Sequence, residues 1–177
     1  NQKNDILSVY VDEKGKPYKT AGKIDYVAGW YYRASQLIYK TRIQASFVST
    51  NSITQGEQVA GVWKPLFDRF DIKIDFAYRT FIWNSEANDK AKVHCIISGF
   101  SWKDCYKTDK VIYIGKDKIH AQNINAYFVN AGNVFIESRK TPISDIPEMI
   151  TGNRPADGGH LIVEESEYAD FITREPK

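Results

Sequence analysis

The chain has 177 residues, of which 42% are hydrophobic, and 24 basic against 22 acidic side chains leave a formal charge of +2. Four Trp, eleven Tyr and nine Phe exclude an intrinsically disordered polymer, and the near balance of charge excludes binding of nucleic acid by bulk positive charge, leaving only a local basic face. No apolar run approaches the ~20 residues of a membrane-spanning helix and no charged-then-apolar leader opens the sequence, so a soluble, cytoplasmic protein with no membrane partner is expected.

Residues 1–23 are polar, and Gly15, Pro17 and Gly22 in "DEKGKPYKTAGK" predict a loop. The following "DYVAGWYYRASQLIYK" predicts a helix capped by Asp25, with Tyr26, Val27, Trp30, Tyr31, Ala34, Leu37 and Ile38 on its apolar stripe. "IQASFVS" (43–49) reads as a short strand with Ala45, Phe47 and Val48 inside. A polar knot, Ser49-Thr50-Asn51-Ser52, comes next. Thr54 and Glu57 then have the spacing of a capping box, and Val59, Val62, Trp63, Leu66, Phe67 and Phe70 form a helical stripe that Pro65 is expected to kink or split. "IKIDFAYRTFIW" alternates Ile72, Ile74, Phe76 and Tyr78 as a strand, "KVHCIISGF" supplies another, and "KVIYIG" a third.

From about Ala121 the character changes. "NINAYFVNAGNVFIESR" predicts short β-like runs, "ADGGHLIV" a tight turn into a strand, and "ESEYADFITREP" a short acidic helix. The order helix, strand, helix, strand, strand is that of the latter half of an α/β sheet, and in open sheets ligands sit beyond the carboxyl ends of the strands. The polar knot lies at such an end, where it is either a plain strand-to-helix turn or the rim of a site. Cys95 and Cys105 lack CxxC spacing and a second pair, which points to buried reduced thiols rather than zinc. His94 lies inside an apolar strand, as a core or sheet-face histidine, and His120 and His160 have no ligand partners at readable spacing, so no metal is expected.

Four blocks in order, "DYVAGWYY", "FVSTNSITQGEQV", "FAYRTFIWNSEANDKAKVHCIISGF" and "PISDIPEMITGNRPADGGHLI", resemble the post-catalytic half of large adenine-N6 DNA methyltransferases. The likeness is strongest to the type IIL single-chain restriction-modification enzymes and related DNA methylases, and it covers the chain from Asp25 onward. In that family a Rossmann-like domain binds S-adenosylmethionine, an Asn-Pro-Pro-Phe loop holds the target amino group, and a target recognition domain reads the DNA. Neither that loop nor a Gly-rich turn after a strand occurs in this sequence. The resemblance therefore implies residues 1–120 as the C-terminal half of a methyltransferase domain and residues 121–177 as the start of a β-rich target recognition domain. It implies no catalytic residue and no cofactor-binding residue in this chain, S-adenosylmethionine bound only by the intact protein, and a fragment inactive alone.

The partners implied are double-stranded DNA and the remainder of the same polypeptide. A flipped base is held by stacking and edge contacts, and the family's pocket aromatic matches Phe81 or Trp83. Trp83 is favoured because "WNSEA" sets it beside polar residues at a turn, and the alternative is that "FIW" covers the sheet edge. Asn51, Asn84 and Glu86 are the polar pocket candidates, with an Asx turn as the plainer role of Asn84. Arg139, Lys140 and Arg154 are candidates for phosphate contacts or ordinary solvated charge. The competing class is a non-catalytic DNA-binding or partner-binding module.

Overall fold

A computed structural model of the chain describes residues 1–83, 92–106, 109–139, 141–146, 158 and 162–174. Strands β1 (Gln44–Thr50), β2 (Ile72–Trp83), β3 (Val93–Trp102), β4 (Lys110–Ile114) and β5 (Asp117–Ala121) form one five-stranded sheet in the order β1-β3-β2-β4-β5. β3 is antiparallel to both β1 and β2, so those two are parallel to each other with β3 between them. Helix α3 (Gly56–Phe70) makes the crossover from β1 to β2. β4 runs parallel to β2 and returns as β5. The α/β class expected from the order of elements is the one observed.

One face of the sheet is buried. Alternation along β3 turns Ile96, Ser98 and Phe100 towards the helices, where Tyr31, Tyr32, Trp63 and Leu66 join Ile74, Ala77 and Ile112 in a single core. β2 does not keep the simple alternation its sequence suggests. Ile74 pairs with Phe100 and Phe76 with Gly99, leaving Asp75 as an extra residue in a bulge. One inserted residue moves everything after it to the opposite face, so Ala77 enters the core while Phe76 and Tyr78 turn away from it.

The polar N-terminal region is only partly a loop. Residues Gln2–Val9 form α1, with Ile6 and Tyr10 buried, and the Tyr10 hydroxyl donates to the Val62 carbonyl of α3. The loop proper follows, where the Asp12 carboxylate accepts the N–H groups of Lys14 and Lys16, each at 2.9 Å. α2 (Ala28–Ile38) buries Ala28, Tyr31, Tyr32, Ser35 and Ile38, a stripe rotated from the expected one, and leaves Trp30 and Leu37 exposed. The sequence offers two apolar stripes, and the one that buries is the one whose phenols reach partners: Tyr32 donates to the Val11 carbonyl, and the Tyr31 hydroxyl shares hydrogen bonds with Ser49 and Ser98. Asp25 does not cap α2, whose N-cap Val27 makes no side-chain bond; its carboxylate instead accepts the Ser52 hydroxyl.

Val48, expected inside, points out of β1, and Ser49 takes the buried position. Thr54 is the last residue of a short 3-10 helix, Asn51–Thr54, and α3 starts after it with Gln55 as N-cap, so the expected capping box is not formed. Pro65 neither splits nor ends α3. A proline inside a helix costs about 3 kcal/mol, less than the burial of Val59, Val62, Trp63, Leu66 and Phe70 along this helix supplies at about 1.5–3 kcal/mol per large side chain. β5 is not among the strands the sequence predicts; Gly115, at φ 59°, and Lys116 make the two-residue turn that returns β4 as β5. Beyond it the expected β-like runs reduce to one bridge, Ile124 to Asn130, around a turn in which the Asn125 carboxamide oxygen accepts from the N–H groups of Tyr127 and Val129.

The chain divides into two compact units, Asn1–Ser138 and Arg139–Lys177. In the second, the expected short helix is α4 (Tyr168–Arg174), closed by an Arg174 to Asp170 ion pair at 2.6 Å. Residues of the predicted "ADGGHLIV" turn lie outside the described residues apart from Gly158, Ile162 and Val163.

A candidate functional site at the carboxyl ends of β1 and β2

Because β1 and β2 run parallel, their carboxyl ends reach the same edge of the sheet, and the register places Thr50, Cys95 and Phe81 in one row across β1, β3 and β2. The polar knot sits on that row. Ser49 is buried; the Thr50 and Ser52 hydroxyls lie 2.9 Å apart, Ser52 donates to Asp25, and the Thr54 hydroxyl donates to the Asn51 carbonyl at 2.8 Å. The Asn51 amide donates to the Thr80 hydroxyl of β2 at 3.5 Å. Asn51 of the knot and Thr80, 29 residues apart along the chain and next to Phe81, are thus brought together. Thr80 was not singled out from the sequence, and no spacing rule could have found it, since its approach depends on a second irregularity of β2 between Tyr78 and Phe81.

Phe81 and Trp83 lie on the sheet face away from the core, opposite Cys95 and Val93. Phe81 meets Tyr78 edge-on at 5.3 Å and Trp83 at 6.4 Å, and Tyr78 stacks on Tyr113 at 6.1 Å. Among the described residues the result is a column of rings that ends at Trp83, which is 52% exposed. A half-exposed indole at the end of such a column offers a free π-face without needing to leave its neighbours. Asn84 and Glu86 lie outside the described residues, as do Lys140 and Arg154. Arg139 is exposed in the second unit.

His94 is exposed at the start of β3, facing Ile82 of β2, which removes the core alternative for it. Cys95 is buried and Cys105 half-buried, both as free thiols. Among the described residues no three His, Cys, Asp or Glu side chains gather into a group that could hold a metal. A cavity of about 630 Å³ lies elsewhere, between Tyr18 to Lys23, the outer side of α3 and Ile136 to Ser138, and is bridged by a Lys64 to Glu137 ion pair at 3.0 Å. A second, about 480 Å³, opens on the outer sheet face above Gly99.

A nucleotide-like cofactor in an α/β sheet needs backbone approach at a glycine-rich strand-to-helix turn. The strand-to-helix junction in this unit, from β1 to α3, carries the side chains of Asn51, Ser52 and Thr54, with Gly56 alone at its end.

Residues 1–114 match the family described as MmeI, DNA-methyltransferase domain, and residues 130–177 match that described as MmeI, target recognition domain. The chain belongs to the MmeI DNA-methyltransferase family. It is 39% identical over 175 residues to DNA methyltransferase A of Bacillus subtilis (strain 168), covering 99% of this chain and 19% of that protein. The type IIL restriction-modification enzyme MmeI, whose structure was solved in complex with DNA, is 42% identical and superposes with a TM-score of 0.81 over 99% of this chain and 23% of its own. The chain thus spans about a fifth of the length of these MmeI-family relatives. A methyltransferase domain followed by a target recognition domain is the organisation expected from the four sequence blocks.

Proposed function

We propose that the chain is part of an adenine-N6 DNA methyltransferase that takes its methyl group from S-adenosylmethionine and acts in the cytoplasm within a restriction-modification or related defence system. In this reading residues 1–120 finish the methyltransferase domain and residues 121–177 begin the target recognition domain. Double-stranded DNA is the partner, and the remainder of the same polypeptide supplies the cofactor cradle and the catalytic loop, so this piece alone is inactive. The observation that carries the reading is the meeting of Asn51 with Thr80 beside Phe81 and the half-exposed Trp83, at the strand ends where α/β sheets hold their ligands.

The role of these residues is to receive an extruded base. Trp83, with Phe81 behind it, offers the stacking face, and the Asn51 amide, with Asn84 and Glu86, offers edge contacts. Arg139, Lys140 and Arg154 contact phosphates and set the position of the protein on the duplex without reading sequence. The test uses the intact polypeptide, duplex DNA and cofactor carrying an isotopically labelled methyl group, followed by digestion of the DNA to nucleosides and chromatography. N6-methyladenine carrying the label is expected. Label found only on cytosine, or no label on any duplex, overturns the reading, and the second result favours a non-catalytic DNA-binding module.

A further inference from the structure

The polar knot Thr50–Ser52 is held from beneath on both sides, and the two holds are joined. On its amino side Ser49 reaches the Tyr31 hydroxyl at 3.0 Å, and the same hydroxyl reaches Ser98 of β3 at 3.0 Å. On its carboxyl side the Ile53 carbonyl accepts the Trp63 indole N–H at 2.9 Å. Tyr31 and Trp63 pack edge to face at 5.3 Å, and both touch Phe100. Tyr31, Trp63 and Ser98 are fully buried and Ser49 nearly so.

A phenylalanine would fill the Tyr31 position as well by shape, and burying three hydroxyls among aromatic rings has a desolvation cost that their mutual bonds only offset. A phenol has one proton to donate, so at least one serine donates to it, and the three groups lock one another's orientation across α2, β1 and β3. A polar core cluster that contributes little net stability but fixes one geometry is suited to holding a neighbouring surface in register.

We propose that Tyr31 and Trp63 are positioning residues for the methyltransferase site: the pair fixes the knot, and with it the Asn51 amide, at the distance from Trp83 that an extruded base requires. This rests on the reading of the knot as the rim of the base pocket. Neither residue touches the base; both act through Ser49 and Ile53.

The test uses the intact enzyme and three variants: Tyr31→Phe, the apolar triple Tyr31→Phe/Ser49→Ala/Ser98→Ala, and Phe70→Leu as a core change remote from the knot. Removing every partner of a buried hydrogen-bond group together is close to neutral for stability, whereas removing one is not. The triple is therefore expected to melt nearer the wild type than Tyr31→Phe does. Both are expected to lose about ten- to a hundredfold in kcat per folded molecule, the scale of a small misplacement at a reacting centre, with KM for DNA little changed. Phe70→Leu is expected to melt earlier with wild-type kcat. Wild-type kcat in Tyr31→Phe and the triple, measured on the folded fraction, overturns the proposal. If the triple does not fold, Tyr31→Phe and Trp63→Phe decide by the same ratio. A wild-type enzyme that methylates no adenine would instead sink the rim reading beneath it, so the two failures are distinguishable.

Discussion

On the reading of Trp83 and Asn51 as base-pocket residues, substitutions at these two positions separate binding from folding. Trp83 is half-exposed at the end of a ring column, so Trp83→Ala removes little core, while loss of one stacked base is worth about 1–3 kcal/mol, or roughly ten- to a hundredfold in methylation by the intact enzyme. The loss should shrink when the target adenine sits opposite a mismatch and flips more easily; equal losses on matched and mismatched duplexes would remove the stacking role. Asn51→Ala cuts a 3.5 Å contact with Thr80, longer than a usual N–H···O hydrogen bond, and leaves the carbonyl that Thr54 uses. Its melting temperature should stay near wild type while methylation falls, and the opposite pattern would make the knot only a turn. Gly99 is a case of space rather than backbone freedom. A Cβ there would lie 2.0 Å from the Phe76 ring, so Gly99→Ala should cost about 1–3 kcal/mol in denaturant unfolding as an overpacked position, and adding Phe76→Leu should recover part of it.

At the level of elements, the buried stripe of α3 and the strands β1 to β4 were readable because apolar spacing and turn residues agreed there. What was hidden had specific causes. α1 buries only Ile6 fully, with Leu7 and Val9 partly covered and Tyr10 just beyond its end, a short apolar set in an otherwise polar segment. The face of α2 is ambiguous because most of its positions are apolar or aromatic, and the choice rests on partners for its phenols contributed by Ser49 of β1, Ser98 of β3 and the Val11 carbonyl. The flip of Phe76 and Tyr78 follows from a bulge at Asp75, which no alternation pattern announces. Of the candidate site, the knot, Phe81 and Trp83 could be singled out from sequence and resemblance, but Thr80, Tyr31 and Trp63 could not, since each acts through a contact between elements. The start of α3 was placed at Thr54, although the chain turns into the helix at Gly56 with φ 53° and open space where a side chain would go. Gly56→Ala should therefore cost about 1–2 kcal/mol from backbone conformation alone. Wild-type stability for that variant, measured by chemical denaturation, would show that the turn relaxes to another geometry.

Across the molecule, the core of the first unit is unusually phenolic, and that gives its stability a dependence on alkaline pH. Tyr10, Tyr31 and Tyr32 are buried and bonded to one another's surroundings, and Tyr18 lies against Tyr10 at 5.9 Å. Burial is the largest cause in each case and holds all four phenols above their ordinary value, most strongly Tyr10; the nearby Arg69 guanidinium pulls Tyr18 and Tyr32 part of the way back, and the two serines do so for Tyr31. A group whose folded-state pKa is raised contributes stability that is fully present below its unfolded value, about 10 for tyrosine, and is lost as pH rises from there through the folded value. Below pH ~10 these phenols therefore place no pH slope on stability, and above it the unfolded chain ionises while the folded chain resists. Titration of tyrosinate absorbance should show the buried Tyr10, Tyr31 and Tyr32 ionising only as the circular dichroism of the sheet collapses. Tyr10→Phe should make the alkaline loss of stability shallower while leaving the slope below pH ~10 unchanged. A single reversible ionisation of all tyrosines with the fold intact would mean that water reaches this core, and that the tie from α1 to α3 through Tyr10 and Val62 is not closed in solution.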